Sequence, residues 1–304
     1  MITVTFLGTS GMVPTKERNV QSICIEYKGE YVLVDCGEGT QRQMNIAGLN
    51  RMKVKKVLIS HWHGDHVSGL IGLIQTIGNG AASSDEQPTL HVYGPETTRE
   101  HIHNLLKSCV FEVKIDLQIH EIKVNEPSMF YENEDYELWA SQMRHSIPCL
   151  GFAFVEKDKR KILMAKAQKY GLKEGPELGR IQQGETITFN GRKISPEEIT
   201  SLVKGKKIVF ITDTDINDNA FKLAQDADLL VSESSFSSQL EEKADRYKHM
   251  TAKNAALIAN KSNVKELILT HFSQRYKTSE DVLHDAKDYF QNTKAAFDFM
   301  KVKL

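Results

Sequence analysis

Hydrophobic and polar positions along the chain follow two alternating periods. Near the start, ITVTFLG, SICIEY and YVLVDC are short runs of β-branched, aromatic and aliphatic residues with turn residues between them. Such runs predict strands joined as a meander. KVLIS at 56–60 predicts another strand, and the apolar segment from Val67 to Ile77 predicts a helix. TLHVYG reads as a strand and 95–108 as a helix, with strands again over 113–122, 136–142 and 151–155. Farther along, KIVFIT, DLLVSE and ELILTH are separated by helical stretches. A helix over 278–291 precedes a closing strand near FDFMKV. Strands that pair first as hairpins and later through helices predict two sheets with helices outside them.

One stretch breaks this rhythm. Residues 156–204, which include GLKEGPELGRIQQGETI, show weak strand pattern and many Gly, Lys and Glu. A segment this long is not an ordinary connection, so it is functional or disordered. It reads as an arm inserted within a single domain spanning 1–304.

Composition adds little to this picture. The 304 residues are 40% hydrophobic and 26% charged, as in ordinary globular chains. No apolar run approaches the roughly 20 residues that span a bilayer. The first residues have neither a basic n-region nor a long apolar core, so no signal peptide and no membrane association is expected, and the cytoplasm is the expected compartment. Cys24, Cys36, Cys109 and Cys149 are scattered without a CxxC pair and read as reduced core residues. The net charge of −1 argues against a wholly basic nucleic-acid binder. A local patch exists all the same: residues 156–173 hold seven Lys/Arg and two acids. Taken alone, most such runs are solvated surface.

The chemistry is concentrated at SHWHGDHVSG, residues 60–69. Four strands run into a candidate ligand: His61, Asp213, Glu233 and His271. In α/β architectures ligands gather at the carboxyl ends of strands. His61 and His63 leave a strand two residues apart and point the same way in extended chain, while Asp65 and His66 follow on the loop and the next helical turn. Four polar side chains behind an apolar strand are costly to bury unpaired, and a metal offsets that cost. Four ligands on one ion would leave no reactive position, whereas two ions could share them with His145, Asp213 and His271 arriving from elsewhere. His101 and His103 also spell H-x-H, but on a helix they lie about 200° apart and cannot share an ion. His91, His120 and His284 are lone histidines with ordinary surface or core roles expected.

These motifs resemble the metallo-β-lactamase superfamily, and the whole chain resembles its ribonuclease Z family of tRNA 3′-processing endonucleases. VPTKERN resembles the P-x-K-x-R-N loop, with Lys16, Arg18 and Asn19. LVDCGEGTQRQ resembles the motif carrying Asp35, and MRHSIPCLGF the segment carrying His145. FITDTDIND resembles the segment with Asp213, LILTHFSQRY the one with His271, Arg275 and Tyr276, and GPELGRIQQGETI part of a protruding arm. The resemblance implies a four-layer αββα metallo-β-lactamase-like sandwich with an inserted exosite arm. It implies two Zn2+ per subunit, with Mn2+ or another divalent metal as an option. His61, His63 and His145 would bind one ion, Asp65, His66 and His271 the other, and Asp213 both. Asp35 would hold a ligand through a hydrogen bond, or act as a strand-end turn carboxylate. Two motifs depart from the family: His249-Met250-Thr251 stands where His-Ser-Thr is usual, and Ser232-Glu233-Ser234-Ser235 where His-Glu-Ala-Thr is usual.

The implied reaction removes the 3′ trailer from precursor tRNA, leaving a 3′-hydroxyl on the tRNA and a 5′-phosphate on the trailer. Paired cations suit it because they neutralise a phosphodiester and acidify water. Asp65 would accept the nucleophile's proton. His249, oriented by Glu233, would be the general acid; alternatively it caps the helix TAKNAALIANK. Lys16, Arg18, Asn19 and Arg275 would contact RNA near the cut, and the basic arm would clamp the tRNA elbow by charge. The family further implies a homodimer whose arms reach the partner's active site. A superfamily phosphodiesterase acting on a small diester such as a cyclic nucleotide is the alternative, and an RNA-binding protein with structural zinc is a third reading.

Overall fold

The computed structural model describes residues 1–80 and 87–304. The predicted opening meander forms: Ile2–Gly8 pairs antiparallel with Ser22–Tyr27, which pairs antiparallel with Glu30–Val34. Lys28 and Gly29 join the last two with φ of 47° and 85°. Positive φ at both turn positions matches the strands' right-handed twist, and glycine makes the second one cheap. Glu30–Val34 then pairs parallel with Val54–Leu58, followed by Thr89–Gly94 and Asp116–Glu121, also parallel. Lys301–Lys303 closes the other edge against Ile2–Gly8, giving seven strands.

A second seven-stranded sheet runs in the order Thr293–Ala295, Leu267–Thr270, Leu229–Glu233, Lys207–Ile211, Cys149–Glu156, Tyr136–Met143, Ser128–Glu132. Its first four strands are mutually parallel. Rings from the two sheets meet between them, as with Tyr27 and Phe154 at 5.5 Å. Helices Thr40–Ile46, Leu70–Gly80 and Thr98–Lys107 send Met44, Leu73, Ile77 and Ile102 into one core with Leu33, Val57 and Val92 of the first sheet. Asp218–Ala224 and Ala252–Lys261 lie on the second sheet. Leu229–Glu233 is buried at all five positions, which explains its continuous apolar run. The sandwich is the predicted αββα fold.

Three expectations need correction. The Val67–Ile77 helix is broken into a turn at Gly64–Val67 and a helix at Leu70–Gly80. At the break a Cβ on Gly69 would sit 2.1 Å from the Gly37 carbonyl oxygen, so the backbone approach demands glycine. The closing segment is not one strand: Ala296 N–H donates to Leu269 O and Phe299 N–H to Phe6 O, so residues between them cross from one sheet to the other. Cys24, Cys36 and Cys149 are buried, but Cys109 is exposed; all four are free.

Contacts divide the chain into two compact units, the second being Glu132–Glu137 with Val155–Lys206. The second unit has a core of its own, formed by Ala167, Leu172, Leu178, Ile181, Ile187, Ile194 and Ile199. Around it lie the hairpin Ile187–Phe189 with Arg192–Ile194, the pair Lys159–Ile162 with Thr200–Val203, and the helix Pro176–Gln182. Strands of three or four residues are too short to print a period on the sequence. Among the described residues, no helix is long and apolar enough to cross a membrane.

Candidate metal centre

Both sheets deliver side chains to one rim. His61 stands three residues beyond Val54–Leu58, and His63, Asp65 and His66 begin the following turn. Asp213 follows Lys207–Ile211, and His271, with φ of 57°, follows Leu267–Thr270. His145 comes from the turn between Tyr136–Met143 and Cys149–Glu156.

The donor atoms converge in two groups. His61 Nε2 lies 2.9 Å from His63 Nδ1, which lies 3.3 Å from His145 Nε2. Asp213 Oδ2 is 3.7 Å from His61 Nε2. In the second group His66 Nε2 and His271 Nε2 are 3.3 Å apart, with Asp65 Oδ2 at 3.3 and 3.4 Å from them. Asp213 Oδ1 reaches the same pair at 3.5 and 3.0 Å. Asp213 thus turns one oxygen to each group.

Hydrogen bonds behind the ligands fix their tautomers. Asp35 Oδ2 accepts from His66 Nδ1 at 2.7 Å and from Ser60 Oγ at 2.9 Å, and Asp35 Oδ1 accepts from Ser60 N–H. Having spent its proton on Asp35, Ser60 Oγ accepts from His61 Nδ1 at 3.0 Å. Ser235 Oγ likewise donates to Glu233 Oε2 and accepts from His271 Nδ1 at 3.0 Å. His145 Nδ1 donates to the Lys248 carbonyl at 3.0 Å. Each arrangement turns Nε2 into the centre, the orientation of metal-ligating histidines. Lone pairs about 3 Å apart repel unless a cation lies between them. Asp213 Oδ1 is buried and accepts no hydrogen bond among the described residues. An orphaned buried carboxylate oxygen is costly, and a cation resolves it. The donor set of imidazole and carboxylate therefore fits a divalent metal.

The electrostatics agree. Burial pushes His61 well below its ordinary value, and burial with His145 lowers His63. Burial opposes charge on His66 too, but Asp213, Asp35 and Asp65 outweigh it and raise His66 well above the usual histidine range. Asp213 and Asp65 are depressed despite burial, chiefly by His271 and His66 for the first and by His66 for the second. A divalent cation bound here would compete with the proton that these carboxylates favour on His66.

Beside the ligands, Glu233 accepts from Thr214 N–H at 2.7 Å and pairs both oxygens with His249 Nδ1 at 3.1 Å. Burial disfavours charge on His249, but Glu233 and Asp213 override it and raise its pKa to about 9. The helix Ala252–Lys261 is capped by Thr251, whose side chain accepts from Asn254 N–H, so the capping alternative for His249 fails.

A cavity of about 820 Å3 opens over the centre, lined among others by Met12, Phe236, Tyr247, Lys248, His249 and Arg275. Lys16, Arg18 and Asn19 are not in its lining. Lys16 is exposed. Arg18 lies over the Phe272 ring and donates to Tyr276 O at 2.9 Å, and Asn19 Nδ2 donates to Glu38 O at 2.7 Å.

A family model described as the Metallo-beta-lactamase superfamily matches residues 15–131. The ribonuclease Z of Methanothermobacter thermautotrophicus is 40% identical over 100% of this chain and 97% of its own length. The chain belongs to the ribonuclease Z family. The ribonuclease Z of Thermococcus onnurineus is 44% identical over 92% of this chain and 88% of its own. Among solved structures, the short form of human tRNase Z superposes with a TM-score of 0.73 at 27% identity, covering 99% of this chain and 98% of that one. At the two motifs that depart from the resemblance, the Ser235 hydroxyl donates to Glu233 and Met250 is fully buried.

Sequence reasoning missed Ser60, Ser235, the Lys248 carbonyl and the Met12 N–H, which donates to Asp65 Oδ2 at 2.7 Å. It also missed Gly11, where a Cβ would fall 2.5 Å from the His271 ring. It missed Asp298 as well, which accepts from Thr9 Oγ1, Asn19 N–H and Gln43 Nε2 at 2.7–3.0 Å. Only the position of Ser60 beside the histidine motif offered a signal.

Proposed function

We propose that this protein is a metal-dependent endoribonuclease that removes the 3′ trailer from precursor tRNA, leaving a 3′-hydroxyl on the tRNA and a 5′-phosphate on the trailer. The observation that carries the mechanism is the two faces of Asp213, one oxygen on each group of donors. In this reading two Zn2+ ions are held, one by His61, His63, His145 and Asp213, the other by Asp65, His66, His271 and Asp213. A bound cation pair supplies an acidified water and positive charge for the non-bridging phosphate oxygens.

The chain's own residues do the rest. Asp65, anchored by Met12 N–H, takes up the proton that the attacking water loses. His249, held through Nδ1 by Glu233, donates from Nε2 to the departing ribose 3′ oxygen, whose bond to phosphorus breaks. The Glu233 carboxylate at Nδ1 favours the protonated imidazole that this step requires. Asp35 and Ser60 keep His66 and His61 facing inward. Arg275 and Lys16 contact the RNA near the cut, while Arg18 and Asn19 hold the loop between them in position.

Residues 156–204 act as the tRNA-binding arm of a single catalytic domain. Many of its charges are already paired, as in Arg160–Glu197 and Lys204–Asp158, but Lys161, Lys166, Lys169, Lys173 and Lys193 carry no ion pair among the described residues. These five are the phosphate contacts. The family resemblance adds a homodimer, testable by light scattering. A small-diester phosphodiesterase would have no use for the arm. The deciding experiment incubates the purified protein with a 3′-extended tRNA precursor, with and without chelator, and maps the cut end. Absence of chelator-sensitive cleavage at the trailer junction would refute the reading.

A further inference from the structure

Next to the reactive cavity lies a second one, of about 280 Å3, walled by Trp62, Pro95, Thr97, His101, Ile147 and Pro148. His63, which offers a nitrogen to the first donor group, lines both. We infer that this cavity receives an unpaired nucleobase of the 3′ trailer, stacked against the Trp62–His101 pair, and so fixes the trailer beside the scissile phosphate. The inference rests on the nuclease reading above.

The Trp62 and His101 rings are stacked, with centroids 4.9 Å apart and an interplanar angle of 25°. Trp62 Nε1 donates to Thr98 Oγ1 at 2.9 Å, and the indole packs against the core of the first sheet. The platform is therefore set before any ligand arrives, and a flat ring settling on it freezes few rotamers. His101 is exposed on the helix Thr98–Lys107, so the stack has an accessible end. Every base offers a π-face to such a surface.

Charge excludes the other half of a nucleotide. The lining contains no Lys or Arg, and the carboxylate of its Glu96 is engaged by Lys123 Nζ at 2.9 Å, so neither group is left for a phosphate. Three amides of the adjoining helix's first turn are already spent: Thr98 N–H on Pro95 O, Arg99 N–H on Glu121 Oε1, and His101 N–H on Thr97 O. A phosphate finds no lysine or arginine in the lining, whereas a neutral heterocycle needs none. Thr97, a β-branched residue at the rim, is held at φ of 78°. Strain of this kind persists where the backbone must keep a particular contour.

The trailer is the part of the substrate that can fill the cavity. Bases of the acceptor stem are paired and stacked, while a single-stranded extension can splay one outward. Adjacency to His63 places that base close to the cut.

The test uses the full-length protein and precursor tRNAs carrying one abasic nucleotide at successive trailer positions. For the unaltered protein, one position near the cut should raise KM roughly 5- to 100-fold, with kcat changing less. His101→Ala and Trp62→Leu should raise KM for the intact precursor by a similar factor and erase the penalty of the abasic nucleotide. Trp62→Phe, which keeps a ring, should restore most of it. Trp62 lies between two ligands, so metal content is measured alongside; if Trp62→Leu loses metal, His101→Ala decides. The inference is overturned if His101→Ala retains the abasic penalty, or if sensitivity falls only within the tRNA body. A protein that cuts precursors but ignores trailer bases defeats the base cavity alone. A protein that cuts no precursor defeats the nuclease reading and this inference with it.

Discussion

At the scale of single residues, Asp213 is the joint of the centre, because each of its oxygens faces a different set of imidazoles. Asp213→Ala should lose bound metal, measured by elemental analysis, together with at least about 10³-fold of cleavage. Asp35→Asn tests the layer behind the ligands. It replaces the oxygen that accepts from His66 and Ser60, and metal affinity should fall about 10- to 100-fold in a zinc titration. His249→Ala should lower kcat about 10²- to 10⁴-fold with metal content unchanged. Loss of metal in that variant would instead make His249 a ligand, a geometry its proximity to Asp213 and His271 permits. The residues legible in the sequence are those whose chemistry is scarce. Clustered histidines and aspartates at strand ends are expensive unless they bind something, so they announce themselves. Ser60 and Ser235 are common hydroxyls, and the Lys248 contribution is a carbonyl that any residue has; no residue type marks them.

At the scale of elements, strands with long apolar runs were readable and the interruptions were not. The break before Leu70 depends on Gly69 meeting Gly37, a contact between segments far apart in sequence. The arm was legible as an anomaly but not as a folded unit, because its strands are too short to show a period. This changes how it should be removed. Lys159–Ile162 pairs with Thr200–Val203, so deleting only the first half would leave the second unpaired. Excision of 157–205 with a short linker should weaken precursor binding while sparing hydrolysis of bis(p-nitrophenyl) phosphate; equal loss of both activities would count against the clamp. A milder form replaces Lys166, Lys169 and Lys173 with alanine. The slope of log binding constant against log salt should become shallower by about 2–3, since each phosphate contact contributes about 0.7–0.9.

At the scale of the whole molecule, the fold class followed from the order of strands and helices, whereas the meeting of the two sheets at one rim could not be read without their packing. His61 belongs to one sheet and His271 to the other, with His145 and Asp213 between them in sequence. Ions bound by such residues would tie the sheets together, and metal would then stabilise the native state by mass action. Chelation should lower Tm by roughly 5–10 °C in a scanning experiment, reversibly on zinc addition.

The spread of those ligands along the chain also has a consequence during synthesis. His271 emerges from the ribosome after every other donor, and Asp298, which braces the neighbouring loop, emerges later still. A nascent polypeptide that stops short of His271 holds six of the seven donors, with the first group whole and the second lacking an imidazole.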